Sequence, residues 1–538
     1  MRPDSVELAV AAILLLGFLA WPASRRALDS FAKTPTLCVV LLAILPVALR
    51  LALLPHAPAP IPATADDTSY VLLADTLTHF RLANPPHPFA RFIETNFVLQ
   101  EPTYSSIFPI GQGIALAIGE LLFRHAWAGV LLSEAIFCAL CYWMLRAWIS
   151  PGWAFAGGLL AVMQFGPLSY WMNSYWGGAV SGIAGCLVFG GIPRKNGWLI
   201  GAGIGLELLT RPYECLLLLA GIVLSWTLTR ARLEPRLLGA AAISAFPAVA
   251  LMLAHNHAVT GSWTTLPYQL SRYEYGSPAT FTFEPNPSPH RTLSQEEQDN
   301  YDVQSIIHNR ESRLNFIPRL VNRARYFRFF FLPPLYLALG AFLFTLRDKR
   351  MRALLVPVAM LVLGTNLYPY FYPHYIAALS CVFLLMSVAG LEFLSRWSES
   401  AAVLVFLLAV SHFAFWYGLH LKGDEETVAA MAPYETSDYL NRGDPEGRLP
   451  VLKRLAEAPG KQLVFVRFGP VHPLREWIGN EANIDRSRVV WALYLGRAEN
   501  EKLKQYYADR AVWLLEPDDK PPRLQPYPEK PGLHFESP

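Results

Sequence analysis

Charged side chains are the first shortage in this sequence. Asp, Glu, Lys and Arg make up 16% of its 538 residues, where ordinary soluble domains carry about 25%. That excludes the string of about three or four soluble domains that the length alone suggests, because 53% of the residues are hydrophobic. An excess of basic charge is missing too. A net charge of +3 leaves no electrostatic footprint for nucleic acid. Cysteine is sparse and confined: Cys38, Cys138, Cys141, Cys186, Cys215 and Cys381 all fall within or beside apolar segments, and none lies in a long polar loop. No disulfide framework is expected from that distribution. Cys138 and Cys141 form a C-x-x-C, but inside "LLSEAIFCALCYWML" they read as small hydrophobes of a buried helix, not as a redox or metal site. No internal repeat is visible, which counts against a transporter built from paired halves.

What is present is a series of long apolar runs. A spanning helix needs about 20 mostly apolar residues. Spans are predicted near 5–22, 36–54, 126–148, 153–171, 177–193, 197–210, 213–229, 237–255, 327–346, 352–368, 373–394 and 400–420, about twelve in all. The first begins with Asp4 and Glu7 and has no small-residue cleavage site, so it reads as an uncleaved helix. Lys and Arg in short loops mark the cytoplasmic side: Arg25, Arg26 and Lys33, then Arg146, Arg194 and Lys195, then Arg230, Arg232 and Arg236, then Arg347, Lys349, Arg350 and Arg352, and Arg396. The alternate connections, "NSYWGG" (173–178), "TRPYE" (210–214) and "YPYFYPHY" (368–375), are aromatic and nearly free of basic residues, which puts them outside.

That alternation holds only if "IFPIGQGIALAIGELLF" (107–123) does not cross. It is short, contains Gly, Pro and Gln, and ends on Glu120 and Arg124, so it is expected to lie in the outer interface. The sequence then divides into an additional N-terminal span with a basic cytoplasmic loop (1–35), a membrane domain (36–420) with outer loops at 55–125 and 256–326, and an extracytoplasmic tail (421–538). In the tail, "QLVFVRF", "RVVWALYL" and "AVWLLEP" read as strands and "NEKLKQYYAD" as a helix, a small α/β domain. The Pro-rich ending after Glu516 reads as extended or disordered. Arg310, Arg313, Arg319, Arg323, Arg325 and Arg328 crowd the end of the second outer loop. They read either as a juxtamembrane helix on lipid headgroups or as a phosphate-binding patch.

The first outer loop opens on "ADDTSY" (65–70). An acidic pair at the head of such a loop, followed by interfacial segments and many spans, resembles the GT-C fold membrane glycosyltransferases, including the protein O-mannosyltransferases and the bacterial aminoarabinose transferases. The resemblance covers residues 36 to about 395. It implies a polytopic α-helical fold. It also implies transfer of a sugar from a polyprenyl-phosphate carrier to a lipid, glycan or protein acceptor at the outer face of a bacterial-type plasma membrane. Asp66 and Asp67 take the places of the family's acidic pair, with Tyr70 after them. "TRPYE" is similar to the family's basic span end and sets Arg211 near the carrier phosphate. "YPHY" brings His374, and "HNHAVTGSWTTLPY" (255–268) resembles the start of the large later loop. Arg272 is assigned with Arg211 and His374 to the donor phosphate. Tyr70, Asn173, Tyr175, Trp176, Glu214 and Tyr375 are assigned to the substrate lining. One feature is missing: "YWMNSYWGG" has Asn173 where many members carry a second acid. That puts a divalent cation held between two acidic loops in doubt, and neither a cofactor nor a metal ligand is assigned.

The chemistry follows from the residues themselves. Transfer from a lipid phosphate needs a base for the acceptor hydroxyl, on the face opposite the leaving group if the reaction inverts, and cations for the departing phosphate. A carboxylate such as Asp66 suits the first task. Its neighbour Asp67 is suited either to raising its pKa, because like charges resist joint ionisation, or to orienting the acceptor. Arg211 offers a fork of donors for the second task. Each residue also has a plainer reading. Asp66 and Asp67 suit a helix N-terminus before "TSYVLLADTL", Arg211 a snorkelling interface residue, and His374 a packed aromatic turn. Glu214 either pairs with Arg211 or faces a cavity, Glu207 lies deeper among apolar neighbours, and Asp75 with His79 reads as a solvated pair. Gly177 and Gly178 suit either a ligand approach or a tight turn. A secondary transporter and a non-catalytic envelope assembly protein are the competing functions. The first would place its acids mid-span, and the second leaves the acidic pair and the arginine without a purpose.

Overall fold

The computed structural model describes residues 5–230, 234–431, 435, 444, 446–470, 472 and 475–528. Asp4, Arg232 and the last ten residues lie outside them, as do the side chains of Arg25 and Arg26. Helix follows helix in chain order: α1 (Ser5–Ala32), α2 (Pro35–Ala52), α3 (Ala65–Thr78), α4 (Ile110–Phe123), α5 (Ala126–Leu145), α6 (Pro151–Phe165), α7 (Ala179–Gly191), α8 (Gly197–Thr210), α9 (Pro212–Leu228) and α10 (Pro235–Thr260). The second long loop holds α11 (Pro267–Tyr275), α12 (Gln295–Arg313) and α13 (Phe316–Arg323). Then come α14 (Leu335–Phe342), α15 (Lys349–Thr365), α16 (Ser380–Ser395) and α17 (Glu399–Lys422). In the first long loop a two-residue hairpin pairs β1 (Val98–Leu99) with β2 (Ser105–Ser106).

Helices stand at all twelve places where spans were predicted, and α8 fills its predicted bounds of 197–210, but several are too short to cross a bilayer. Among the described residues six are long and apolar enough to cross a bilayer, or seven if one bent pair is counted. The short ones include α7 with 13 residues and α8 with 14. At about 1.5 Å per residue these reach only about 20 Å of a hydrocarbon core about 30 Å thick. The predicted span at 327–346 is not one helix. Phe316–Phe330 and Leu335–Arg347 meet at 111°, across a break holding Pro333 and Pro334, which cannot donate the hydrogen bonds that would continue the ladder. The basic connection after the first span is also mostly helical, since α1 runs on to Ala32.

Segment 107–123 forms the short α4, which leaves Ile118, Leu121, Leu122 and Phe123 exposed at one end. It lies backbone to backbone on α5: a Cβ added at Gly119 would sit 2.1 Å from the amide nitrogen of Gly129. The turn after α6 is buried instead of surface-borne. Trp171 has no exposure and stacks on Phe165 at 5.0 Å. Gly177 and Gly178 face it so closely that a Cβ would come within 2.7 and 2.4 Å of Trp171. These glycines serve the packing of a tight turn.

The tail begins with α18 (Glu425–Met431) and α19 (Arg448–Glu457). It builds a sheet from β3 (Lys461–Val466), β4 (Val489–Leu493), β5 (Arg510–Glu516) and β6 (Arg523–Pro526), with α20 (Arg497–Tyr506) between β4 and β5. The order is β4-β3-β5-β6, parallel except for the antiparallel β6. Of the two forms read for the ending after Glu516, extended or disordered, Arg523–Pro526 takes the extended one, paired as that edge strand. Parallel strands are covered on both faces, and here Val464 and Val466 pack toward Val451 and Leu455 of α19. Leu463 and Phe465 share a core with Leu72 of α3 and with Phe92, Ile93 and Val98 of the first loop. The tail domain is thus docked on the loop that carries the acidic pair.

Candidate active site

Helix α3 starts on its acidic pair because Thr64 caps it. Thr64 Oγ1 accepts from the Asp67 amide at 3.2 Å, while Asp67 Oδ2 accepts from Thr64 Oγ1 at 2.9 Å and its amide at 3.4 Å. This is a capping box closed by Asp, a role usually filled by Glu or Gln. The other oxygen, Oδ1, accepts from the Tyr175 amide at 2.9 Å. Asp67 is buried, and both of its oxygens are used by the fold. The plainer reading, a helix-capping carboxylate, therefore describes Asp67.

Asp66 differs on each point. It is half-buried, and its carboxyl accepts no hydrogen bond from another described residue. Burial raises its pKa to about 7, the Asp67 charge adds to that, and the Arg211 guanidinium opposes it. Arg211 stands at the junction of α8 and α9. Pro212 begins α9 and disfavours helical backbone at the residue before it; Arg211 takes φ −143° and ψ 78°. Its guanidinium lies 5.1 Å from the Tyr375 ring centroid and makes no hydrogen bond or ion pair with a described residue. Tyr70, one turn after Asp66, stacks on Phe108 at 4.4 Å. Burial lifts its phenol pKa to about 12, so it stays neutral. Glu214 is buried within the field of Arg211, and its carboxylate has no side-chain partner among the described residues.

The aromatic turn supplies the remaining residues. His374 Nδ1 lies 2.9 Å from Tyr170 Oη, which also accepts the His374 amide at 3.1 Å. The ring is flanked by Tyr372 and Trp176 at 5.6 and 5.0 Å. Trp176 Nε1 is buried without a partner among the described residues. Asp66, Tyr70, Arg211, Glu214, His374 and Tyr375 are thus brought within electrostatic reach of one another by three parts of the chain.

Other sequence-assigned residues have different surroundings. Tyr175 is a brace: its hydroxyl donates to Pro60 O and its carbonyl accepts from Gln112, each at 2.9 Å. Asn173 is wholly buried and its amide is fully engaged, accepting from Arg50 Nε at 2.8 Å and donating to Pro167 O and Ser169 O. Arg272 Nε donates to Pro278 O at 3.1 Å and Nη2 to Ala279 O, which ties the second loop together. The arginine cluster is largely engaged as well. Arg319 donates to Glu311 O, Arg323 to Thr365 O and Tyr368 O, and Arg310 pairs with Glu311. Glu207 is wholly buried beside Ser181 and makes no ion pair with a described residue. Asp75 accepts from Ala482 N at 2.6 Å and so holds the tail domain. All six cysteines are buried free thiols, and among the described residues no group of three or more His, Cys, Asp or Glu is arranged to hold a metal ion.

The residue that sequence reasoning missed is Arg50, in the last turn of α2. It has no exposure and donates to Asn173, Ala57 O and Pro58 O at 2.8–2.9 Å, with Trp127 under its guanidinium at 4.8 Å. An arginine ending an apolar span looks like an interface residue in sequence; only its three-way bonding shows that it fixes both loops that build the site. Arg50→Met is expected to cost at least about 3 kcal/mol, as two or more hydrogen bonds to a charged donor at about 1.5 kcal/mol each are lost. Thermal unfolding of the detergent-solubilised variant measures this, and an unchanged midpoint would contradict it.

No family model matches the chain, and no curated protein matches it. Solved structures do. The crystal structure of ArnT from Cupriavidus metallidurans bound to undecaprenyl phosphate aligns at 11% identity over 89% of this chain and 92% of that one, with a TM-score of 0.45. The archaeal oligosaccharyltransferase AglB from Archaeoglobus fulgidus, in complex with an inhibitory peptide and a dolichol-phosphate, aligns at 12% identity over 90% and 70%, with a TM-score of 0.48.

Proposed function

We propose that the chain is an integral membrane glycosyltransferase that moves a sugar, with inversion, from a polyprenyl-phosphate carrier to an acceptor hydroxyl on the outer face of the membrane. The observation that supports this most directly is the division of labour in the acidic pair. Asp67 is bonded into the fold through both oxygens, whereas Asp66 keeps a free carboxyl with a pKa of about 7 facing the unpartnered guanidinium of Arg211. A base near neutrality is matched to removing a hydroxyl proton at physiological pH. A free guanidinium beside it is matched to a lipid phosphate. Tyr70, Tyr375 and Trp176 offer aromatic faces to a sugar, and His374 adds a ring held in place by Tyr170. In this reading Arg272 shapes the second loop around the donor.

The direct test is transfer by the purified protein from a panel of polyprenyl-phosphate sugars to lipid, glycan and peptide acceptors. Turnover with one donor supports the reading; no turnover with any, by protein that binds polyprenyl phosphate, counts against it. The pH profile is a second test. Asp66 acts as a base only when ionised, so kcat/KM rises with pH up to about 7 and levels off above it. Asp67→Asn keeps an oxygen for the Tyr175 amide but removes a charge that raises the Asp66 pKa. The rising limb then moves to lower pH, and a limb that stays in place or moves up would show that Asp66 is not the titrating base.

A further inference from the structure

A cavity of about 360 Å³ lies between α3 and the tail domain, on the side of the helix away from Asp66. Small-molecule sites span about 300–1,000 Å³. Successive residues of an α-helix turn by about 100°, so Thr68, Val71, Leu72 and Asp75 form the face of α3 that lines it, away from the face of Asp66 and Tyr70. The helix itself separates the two sites.

The cavity contains polar groups that the fold leaves unused. Thr68, Trp477 and Trp491 are each more than nine-tenths buried, at 8%, 5% and 8% exposure. The Thr68 hydroxyl and both indole N–H groups have no hydrogen-bond partner among the described residues. All three line this cavity. Asp75, Glu120 and Glu481 add carboxylates to its wall. Among the described residues the one lining cation, Arg448, is engaged by Glu446 at 2.9 Å, by the carbonyls of Pro62 and Glu476, and by the Trp477 ring at 4.4 Å. The Glu476 carboxylate is held by Thr95 and Asn96.

Indole planes, N–H donors and carboxylate acceptors together fit a ring with hydroxyls on its edge and C–H groups on its face, while the excess of acidic over basic side chains in the lining disfavours anions. We propose that this cavity is a saccharide-binding site for a neutral or amine-bearing sugar of one or two rings, separate from the Asp66–Arg211 site. The site does not depend on the sugar-transfer reading.

The test uses the full-length protein in nanodiscs, with binding read by saturation-transfer NMR and calorimetry. The probes are cellobiose, the glucosamine disaccharide, digalacturonate and trilysine. Cellobiose and the glucosamine disaccharide are expected to bind, with digalacturonate at least tenfold weaker. Glu481→Gln and Trp477→Phe, which keep the packing, should each weaken binding at least threefold, and Asp66→Asn should leave it unchanged. Failure of both sugars to bind, equal binding of digalacturonate, insensitivity to both cavity variants, or binding of trilysine in place of the sugars would each overturn the assignment. Sugar binding that persists in Asp66→Asn separates the fate of this site from that of the transfer reaction.

Discussion

Asp66→Asn is expected to reduce sugar transfer by about 10²–10⁴-fold, the usual contribution of a positioned general base, while the protein folds as before. The structural half of that expectation rests on the bonding of the acidic pair. The Asp66 carboxyl accepts no hydrogen bond from another described residue, so a neutral side chain of the same shape removes no tertiary contact. Asp67→Ala is the useful contrast. It removes the carboxylate half of the capping box and the Tyr175 bond together, while the amide bond to Thr64 Oγ1 remains, and should lose at least about 1.5 kcal/mol, the contribution of one hydrogen bond to a charged group. Transfer and thermal unfolding measured on both purified variants separate the two roles. Full turnover by Asp66→Asn would sink the base assignment, and unfolding of that variant would show that Asp66 is structural.

Arg211→Ala is expected to weaken polyprenyl-phosphate binding and kcat/KM by about 10²-fold. Two hydrogen bonds from a charged donor contribute about 1.5 kcal/mol each, and every 1.4 kcal/mol is tenfold. The folded state loses little, since the guanidinium's one described contact is the Tyr375 ring, a contact worth about 0.5–1 kcal/mol. Arg211→Lys should recover only part of the loss, because an ammonium lacks the planar fork. A second consequence ties the two residues together. Arg211 lowers the Asp66 pKa, so its removal moves the rising limb of the pH profile above about 7. An unchanged affinity for undecaprenyl phosphate, or a limb that does not move upward, would remove Arg211 from the phosphate site.

Much of the architecture was legible along the chain. Apolar runs located helices at all twelve predicted spans, since the hydrophobic pattern of a helix is local. The start of α3 was legible because Thr64 and its acidic followers form a capping signature. The tail strands were found from their β-branched and aromatic runs, apart from β6, whose "RLQP" carries no alternation. Spans of full length were overcounted. The pattern gave α8 its 14 residues at 197–210, but hydropathy alone does not show that helices as short as α7 and α8 are packed inside the bundle.

The sequence by itself determined that the chain is a polytopic helical protein with an α/β tail, that two carboxylates begin a helix, and that Arg211 precedes a helix-starting proline. Tertiary structure alone decided which carboxylate is free. Asp67 is taken by Tyr175, 108 positions away, and Asn173 by Arg50, 123 positions away. Likewise, the acidic, indole-lined cavity exists only because the tail docks on α3. Periodicity and capping act within a few residues, so the chain order records them. Which polar group is satisfied and which is left over depends on partners brought together by folding, and that is where the chemistry of this protein was settled.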